Sequence, residues 1–358
     1  MEFTIPALPT EILATVIEVS SREALPTIMR ASFMTYNLGC KALYTRIEYT
    51  LTRKQCILLF KTLSNPVSDR LPTLPHPSTF VRALTLEFMA NSVTSNLLRL
   101  IRHTLLSVSS LKELNLQLSF QDSLSNLGWI LTGFTAPLDK LITSLGCDVF
   151  LARFLESQPH IETLLLGGLM TSNPANPFTL SPYALPRLKN LSIPHGCTLL
   201  LRALITGRAI QALTIRFHSE DEEDQYASKL SIISSGSCPL YCLAVEMWDD
   251  TAHPEVIFQG IATYLPNLKV LSLRGFETSY SLDKLVAAAV NLEQMRKLAF
   301  IQFRLITWHP EEQDDEPSTF DNGRRLVDAW SKACSTLCSI SLPKGQLWRK
   351  EKDKWHVC

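Results

Sequence analysis

The side chains that could carry out chemistry are scattered, and few have the spacing that a reaction requires. Cys238 and Cys242 are separated by three residues, as are Cys334 and Cys338, and no histidines follow either pair at zinc-finger spacing. The eight histidines are dispersed along the chain. We therefore predict no metal site, and we expect the nine cysteines to be reduced and to pack as small apolar side chains.

Two glycine-containing segments invite comparison with catalytic turns, but each lacks a required residue. Gly167 and Gly168 form a close glycine pair, yet neither a phosphate-loop nor a dinucleotide-binding pattern surrounds them. The segment from Gly236 to Pro239 lacks the glycine, two residues after its serine, that a nucleophile elbow needs. We therefore predict no catalytic residues, no cofactor and no enzymatic activity. An enzyme would need a cleft with converging titratable groups, and this is the less favoured alternative.

The composition argues against nucleic acid and membranes as partners. Lysine plus arginine and aspartate plus glutamate both number 34, so no net positive charge exists to attract phosphates or anionic lipid. No window has the long apolar run of a membrane helix, and the first twenty residues lack the basic opening of a secretory signal. We expect a soluble protein of the cytoplasm or nucleus.

One short pattern recurs along the chain: apolar, two variable residues, apolar, one variable residue, apolar. Its second apolar residues lie at positions 84, 114, 141, 164, 191, 213, 243, 271, 298 and 340, so eight of the nine intervals are between 22 and 30 residues. The regular interval, rather than any single match, predicts about ten short strands. The ten matches begin at Val81, Leu111, Leu138, Ile161, Leu188, Ile210, Leu240, Leu268, Met295 and Leu337.

The segments between several predicted strands have apolar residues at helical spacing, and prolines often separate helix from strand. The last interval is longer because of Trp308 to Pro317, a charged stretch that we predict to be a surface loop. A second acidic run, from Glu220 to Asp224, follows the sixth strand. The predicted helices are Asn96 to Val108, Asp148 to Ser157, Pro254 to Leu265, Leu282 to Leu292 and Gly323 to Cys334.

This helix, stop and strand unit resembles the leucine-rich repeat family over roughly residues 80 to 345, although the asparagine usually found after the last leucine is mostly missing. The resemblance implies an α/β fold: a solenoid with a curved parallel sheet lined by helices. Since a unit of this size cannot cover its own apolar face, neighbouring repeats must share one core. We predict degenerate repeats over residues 80–348 and a C-terminal tail over 349–358.

Residues 1–63 lack the repeat, and a proline-rich linker is predicted over residues 64–79. Ile12, Leu13, Val16 and Ile17 would lie on one side of a first short helix, and apolar segments from Leu25 to Tyr36 and from Leu38 to Ile47 follow. We predict a small, all-α module.

The module resembles an F-box, which connects substrate receptors to the Skp-type adaptor of cullin-RING ubiquitin ligases. The resemblance implies an adaptor contact, although Pro26 and the absence of a closing tryptophan depart from the family pattern. The matching residues are Leu8-Pro9-x-Glu11-Ile12-Leu13, then Ile17, then Leu25 with Ile28 and Ser32, and finally Leu43-Tyr44-x-x-Ile47. The implied adaptor-binding residues are Leu8, Pro9, Ile12, Leu13 and Ile17.

Alternation of side chains along each strand places the leucines inward and the residues between them on the concave face. These residues are free to specify a partner, and arginine and tryptophan contribute most when they are desolvated within an interface. The predicted target-binding residues are Glu87, Glu113, Asn115, Gln117, Arg216, Glu246, Trp248 and Arg274.

The module order predicts a substrate-recognition subunit of an SCF-type ubiquitin ligase, in which the F-box-like segment docks the adaptor and the concave face binds a target protein. The alternative is a stand-alone leucine-rich repeat scaffold or sensor whose N-terminal helices only cap the solenoid, because the ends of repeat arrays expose apolar surface.

Overall fold

Short strands followed by helices recur along the chain, at close to the intervals that the apolar pattern predicts. The computed structural model of this chain describes residues 9–48, 53–65, 75–88, 92–123, 125–170, 178–195, 197–217, 223–247, 254–275, 282–305, 323–342 and 346–358. The chain divides into unit 1, Met1–Ile161, and unit 2, Glu162–Cys358.

The described part of unit 1 begins with three helices and continues with four strands, each followed by helical structure. Two short 3-10 turns, Pro77–Phe80 and Gly128–Leu131, precede β2 and β4. In chain order the elements are α1 (Thr10–Val19), α2 (Leu25–Ile28), α3 (Phe33–Tyr44), β1 (Arg46–Glu48), α4 (Arg53–Ser64), β2 (Ala83–Phe88), α5 (Ser95–Ser107), β3 (Glu113–Leu118), α6 (Phe120–Ser123), β4 (Lys140–Thr143) and α7 (Val149–Glu156).

The strands of unit 1 pair in parallel and in chain order, so their apolar residues stack side by side. Ile47 in β1 lies opposite Leu84 in β2. The same row continues through Leu114 in β3 and Leu141 in β4, and each of these side chains is at most 1% exposed. No strand covers this surface alone, so each repeat depends on its neighbours for its core.

The first strand lies earlier than predicted. The sequence indicates an all-helical module over residues 1–63, whereas β1 starts at Arg46 and pairs with the first predicted repeat. α4 then lies beside α5, so residues 46–64 form an additional strand-and-helix repeat. The pattern missed it because tyrosines, at positions 44 and 49, flank Ile47 where the other repeats have mostly aliphatic residues. Residues 66–74 of the predicted linker lie outside the described residues.

The second and third helices also differ from their predicted extents. The predicted helical segment from Leu25 to Tyr36 is interrupted, since α2 ends at Ile28 and α3 begins at Phe33. Ser32 forms a capping box: its hydroxyl accepts a hydrogen bond from the Thr35 backbone N–H at 3.1 Å, and its own N–H donates to the Thr35 hydroxyl at 2.9 Å. This reciprocal pair starts a new helix.

The described part of unit 2 contains nine strands and the helices between them. A 3-10 turn, Ala288–Gln294, extends the α11 region toward β10. In chain order the elements are β5 (Thr163–Leu166), β6 (Asn190–Ile193), α8 (Thr198–Ile205), β7 (Ala212–Phe217), α9 (Glu223–Ser234), β8 (Cys242–Met247), α10 (Pro254–Tyr264), β9 (Val270–Gly275), α11 (Leu282–Ala287), β10 (Phe300–Leu305), α12 (Gly323–Ala333), β11 (Ser339–Ser341), β12 (Leu347–Glu351) and β13 (Lys354–Val357).

One apolar row crosses strands β5 to β11 of unit 2, which pair in parallel and in chain order. The predicted α/β repeat with a shared leucine core is thus confirmed within each unit, whereas the F-box is not. The predicted loop from Trp308 to Pro317 lies outside the described residues. The row consists of Leu164, Leu191, Leu213, Leu243, Leu271, Ile301 and Ile340, each at most 2% exposed.

The register of β10 differs from its prediction by three residues. The sequence pattern indicates Leu298 as the partner of Leu271, but Ile301 occupies that position and Phe303 lies opposite Leu273. Two overlapping sets, 295/298/300 and 298/301/303, satisfy the same apolar spacing. The turn before the strand favours the second set, because the Leu298 N–H bonds to the Met295 carbonyl at 3.1 Å, as the Leu268 N–H bonds to the Leu265 carbonyl at 3.1 Å in the preceding repeat.

The predicted C-terminal tail is instead a hairpin that extends the sheet. β12 pairs antiparallel with β11 and with β13. Lys352 and Asp353 form the two-residue connection with φ values of 46° and 65°, as the turns that join twisted strands require. Trp348 and Trp355 are both under 10% exposed, so the hairpin packs onto the last repeat.

Arg208 is a buried cation that has no carboxylate among its described hydrogen-bond partners. It is 2% exposed, and burial lowers the pKa of its guanidinium. The side chain donates to the carbonyls of Ser181 and Ala184 at 2.8 Å, and to those of Ala203 and Thr206 near the end of α8 at 2.7 and 3.1 Å. One buried guanidinium group therefore has four carbonyl acceptors, and it links the end of α8 to the loop before β6.

We expect Arg208→Met to destabilise the protein by roughly 3 kcal/mol, because four hydrogen bonds of a buried side chain are lost at once. Arg202→Met, at an exposed position of α8, is the matched control and should change stability by less than about 0.5 kcal/mol. Urea unfolding followed by circular dichroism measures both. Equal unfolding midpoints for the two variants would contradict the assigned role of Arg208.

Candidate protein-binding surfaces

Helix α1 carries apolar side chains on two sides. Ile17 is 1% exposed and belongs to the core of unit 1, and α1 packs against α3. Ile12, Val16 and Val19 recur at intervals of four and three residues, which places them on one face of the helix. These three, which we call the α1 stripe, are 50%, 46% and 79% exposed. Apolar surface exposed in such a row is typical of an interaction site.

The structure describes four of the five predicted adaptor-binding residues and places them in different environments. Pro9 is exposed at the N-cap of α1, Ile12 is half-exposed, and Leu13 is half-buried. Ile17 lies in the core, so its side chain cannot meet a partner in this conformation, which corrects its predicted role. Leu8 lies outside the described residues. Val16, which the sequence predicts to share one side of the helix with Ile17, lies instead on the exposed face with Ile12. The prediction missed Val19, although its helical spacing from Ile12 indicates the same face.

The first turn of α3 adds two more exposed apolar side chains near the start of α1. Phe33 is 55% exposed and Met34 is 45% exposed. The Thr10 hydroxyl lies 3.9 Å from the Met34 sulfur, so the first turns of α1 and α3 are neighbours.

On unit 1, the sheet face opposite the leucine row holds a shallow cavity of about 400 Å³. Three of the predicted target-binding residues, Glu87, Glu113 and Asn115, line it, and Gln117 donates to the Asn115 side chain at 3.2 Å. The other lining residues are Arg46, Glu48, Ala83, Leu84, Thr85, Leu114, Lys140 and Ile142.

Arg46 organises the charges of this cavity. It forms ion pairs with Glu48 on its own strand and with Glu113, at 3.3 Å, two strands away. The hydrogen bond with Glu48 and the nearby Glu113 charge raise the pKa of Arg46 above its ordinary value. The lining includes three glutamates against Arg46 and Lys140, which leaves a net charge of −1. Sequence reasoning missed Arg46 and Glu48 because it did not predict β1.

On unit 2, one rung of the sheet carries four charged residues on adjacent strands. Arg216 in β7 lies opposite Glu246 in β8, Glu246 lies opposite Arg274 in β9, and Arg274 lies opposite Arg304 in β10. We call these four residues the arginine row. Three of them were predicted, whereas Trp248 lies outside the described residues. Arg304 was missed because the predicted register of β10 was wrong by three residues.

Glu246 is held between two arginines. Arg216 Nη2 lies 3.2 Å from one of its carboxylate oxygens, and Arg274 Nη1 lies 3.2 Å from the other. The Glu246 and Arg216 side chains are only 13% and 11% exposed, whereas Arg274 is 38% exposed. Each oxygen therefore accepts one charge-assisted hydrogen bond, and the low exposure strengthens both.

On β8 and β9, the residues two positions before Glu246 and Arg274 have small side chains. Ala244 is 7% exposed and Ser272 is 6% exposed. Further along β8, burial raises the pKa of the Cys242 thiol, and the positive charge of Arg274 lowers it by a smaller amount. The thiol therefore stays protonated at neutral pH, which makes it a poor nucleophile.

No group of three or more His, Cys, Asp or Glu side chains in the part of the chain that the structure describes could hold a metal ion. No helix within it combines the length and the apolar character needed to cross a bilayer.

Comparisons with known proteins give distant structural resemblances. No protein-family model matches the sequence, and no curated protein matches it. Among solved structures, the chain is similar to LegL7, a leucine-rich repeat-containing protein from Legionella pneumophila, with 12% sequence identity and a TM-score of 0.43 over 84% of this chain and 90% of that chain. The strand order and register described above, not this similarity, establish the repeats in each unit.

We expect Glu246→Gln to lower the free energy of unfolding by about 2 kcal/mol, because two arginines lose a charged acceptor in a poorly hydrated place. Glu162→Gln is the matched control. Glu162 also lies between two cations, Arg187 at 3.5 Å and Lys189 at 3.1 Å, but it is 36% exposed. Its replacement should cost less than about 0.5 kcal/mol. Chemical denaturation of both variants measures the difference, and equal losses would show that burial does not strengthen the Glu246 pairs.

Proposed function

We propose that this protein is the substrate-recognition subunit of an SCF-type, cullin-RING ubiquitin ligase. In this proposal α1 and the first turn of α3 dock a Skp-type adaptor, and the open sheet faces of the repeats bind a target protein. The protein itself would form no covalent bond and would act in the cytoplasm or nucleus. The observation that carries the proposal is the α1 stripe, an apolar helix face left exposed at the end of a repeat domain.

Docking of a partner on α1 would bury apolar surface that is now exposed. Full burial of one aliphatic side chain contributes about 1.5–3 kcal/mol, so a partner that covers Ile12, Val16 and Val19 gains several kcal/mol. Phe33 and Met34 offer further area beside the start of α1. The resemblance of residues 8–47 to an F-box supplies the identity of the partner.

Target binding is proposed for the sheet face whose side chains are not constrained by the core. The leucine rows fix one face of each sheet, and the other face has no role in the core, so its side chains can specify a partner. The two units use this freedom differently. The unit 1 cavity has an excess of one acidic group, whereas the arginine row has three arginines against one glutamate.

A stand-alone scaffold or sensor is the second candidate, and one observation favours it. Ile17, Leu25 and Cys40 are each at most 2% exposed, and α3 packs against β1 and the Pro77–Phe80 turn. The N-terminal helices therefore cover the first strand of unit 1, as a cap does. Capping and docking use opposite sides of α1, so the α1 stripe distinguishes the two candidates.

We expect the purified chain to retain a Skp-type adaptor in a pull-down, and the double variant Ile12→Asp/Val16→Asp to bind it roughly 30-fold more weakly, since two carboxylates would be buried in the contact. The matched control is Leu199→Asp/Val290→Asp, which places the same charges at positions of unit 2 that are 66% and 62% exposed. The control should bind the adaptor as the wild type does.

We expect both variants to fold, because the replaced side chains lie at the surface. Thermal unfolding of each variant checks this. Equal adaptor recovery by the wild type and the α1 stripe variant would refute docking at this face. A folded wild-type chain that recovers no adaptor would favour the scaffold.

A further inference from the structure

We propose that the arginine row binds a protein segment rich in aspartate and glutamate, whose carboxylates lie between Arg274 and Arg304. This inference rests on the proposed function in one respect, because it takes the sheet face as the surface that meets a target. It does not depend on adaptor docking.

The first observation is a like-charge pair in register. Arg274 and Arg304 lie directly opposite each other on neighbouring parallel strands. Like charges placed opposite each other in a sheet are destabilising, so folding alone does not favour this arrangement. Arg304 is exposed and forms no ion pair with any residue that the structure describes. A bound anion would remove the repulsion and supply the missing counter-charge.

The second observation is unused donor capacity. Arg274 donates through Nη1 to Glu246 at 3.2 Å, and its side chain is still 38% exposed. The exposed part of its guanidinium group can therefore donate to a partner. Arg304 presents a whole guanidinium group on the adjacent strand, and strands lie about 4.8 Å apart. One or two carboxylates of a partner can therefore contact both side chains.

The third observation shows that the row accepts carboxylates. Glu246 already lies between Arg216 and Arg274, and each of its oxygens accepts one hydrogen bond at 3.2 Å. The part of the row from Arg274 to Arg304 offers the same guanidinium chemistry without the glutamate. An acidic residue of a partner would repeat, on the neighbouring strand, the contact that Glu246 makes within the chain.

The fourth observation concerns access and polarity next to the row. Ala244 and Ser272 rise little above the sheet, so an extended peptide can approach the arginines from this side. The Ser272 hydroxyl donates to the Gln302 side chain at 3.4 Å, and the Gln302 amide group is left to meet a peptide backbone. The surface over Ala244 and Ser272 is therefore accessible and lies next to the charged arginine row.

The charge of the row is too small and too local for a polyanion. Its net charge is +2, and the whole chain carries 34 basic and 34 acidic residues. Nucleic acids and anionic membranes need an extended basic field, whereas a few carboxylates need only neighbouring guanidinium groups. The acidic excess of the unit 1 cavity would repel the same peptide and so direct it to unit 2.

The test uses a fluorescent peptide with four consecutive Asp and Glu residues, and a matched peptide with Asn and Gln at those positions. We expect the full-length chain to bind the acidic peptide in a fluorescence anisotropy titration and to bind the amide peptide at least about tenfold more weakly. Arg304→Glu should weaken acidic-peptide binding at least about tenfold, because it removes one attraction and adds a repulsion.

The matched control is Arg296→Glu, which makes the same charge change at an exposed turn before β10. It should alter affinity by less than about twofold. Equal binding of the two peptides, or an unaffected Arg304→Glu variant, would overturn the inference. Binding that emerges only after Glu311, Glu312, Asp314 and Asp315 are replaced by amides would also overturn it, because a segment of the chain itself would then be the occupant.

Adaptor recovery by Arg304→Glu separates this inference from the proposed function. Failure of peptide binding with normal adaptor recovery would refute only the acidic partner. Peptide binding that persists in a chain without adaptor binding would support the inference and reject the ligase.

Discussion

Burial of one leucine row by the next is the constraint on which the fold depends. A strand of three to six residues exposes its apolar side unless a parallel neighbour and a helix cover it, so no repeat is stable alone. In unit 1 the row passes from Ile47 through Leu84 to Leu114, and each side chain is almost fully excluded from solvent. The same requirement fixes the register of every strand, because a shift by one residue would expose the whole row.

This constraint acts on only one face of each sheet. The opposite face is free to vary, and in this protein it varies in charge: glutamates prevail around Arg46 in unit 1, and arginines prevail around Glu246 in unit 2. Polar groups that must be buried are satisfied locally, as the four carbonyls around Arg208 illustrate. Stability therefore depends on one face of the strands, and the proposed recognition uses the other face of the same strands, which can vary without loss of the core.

The N-terminal helices bury apolar side chains on the side that faces the core, but α1 also exposes apolar side chains on its other side. Ile17 joins the core of unit 1, whereas Val16, its neighbour in sequence, is 46% exposed. A helix that only capped the first strand would gain nothing from apolar residues on its outer face. The stability of unit 1 therefore gives no reason for the α1 stripe, and the proposed adaptor contact would give one.

The sequence by itself determined the class of fold, most of the strands and the row of leucines, because the apolar spacing within a strand is local and its interval repeats. It also identified Glu246 and Arg274 as residues of the open face. Only the tertiary structure decided which of two overlapping apolar sets enters β10, and hence that Arg304 extends the arginine row. It also decided that Ile47 begins the sheet and that Ile17 is buried. In each case several local arrangements fit the same residues, and the choice is made by the neighbouring strand or helix, which contributes more burial to one arrangement than to the others.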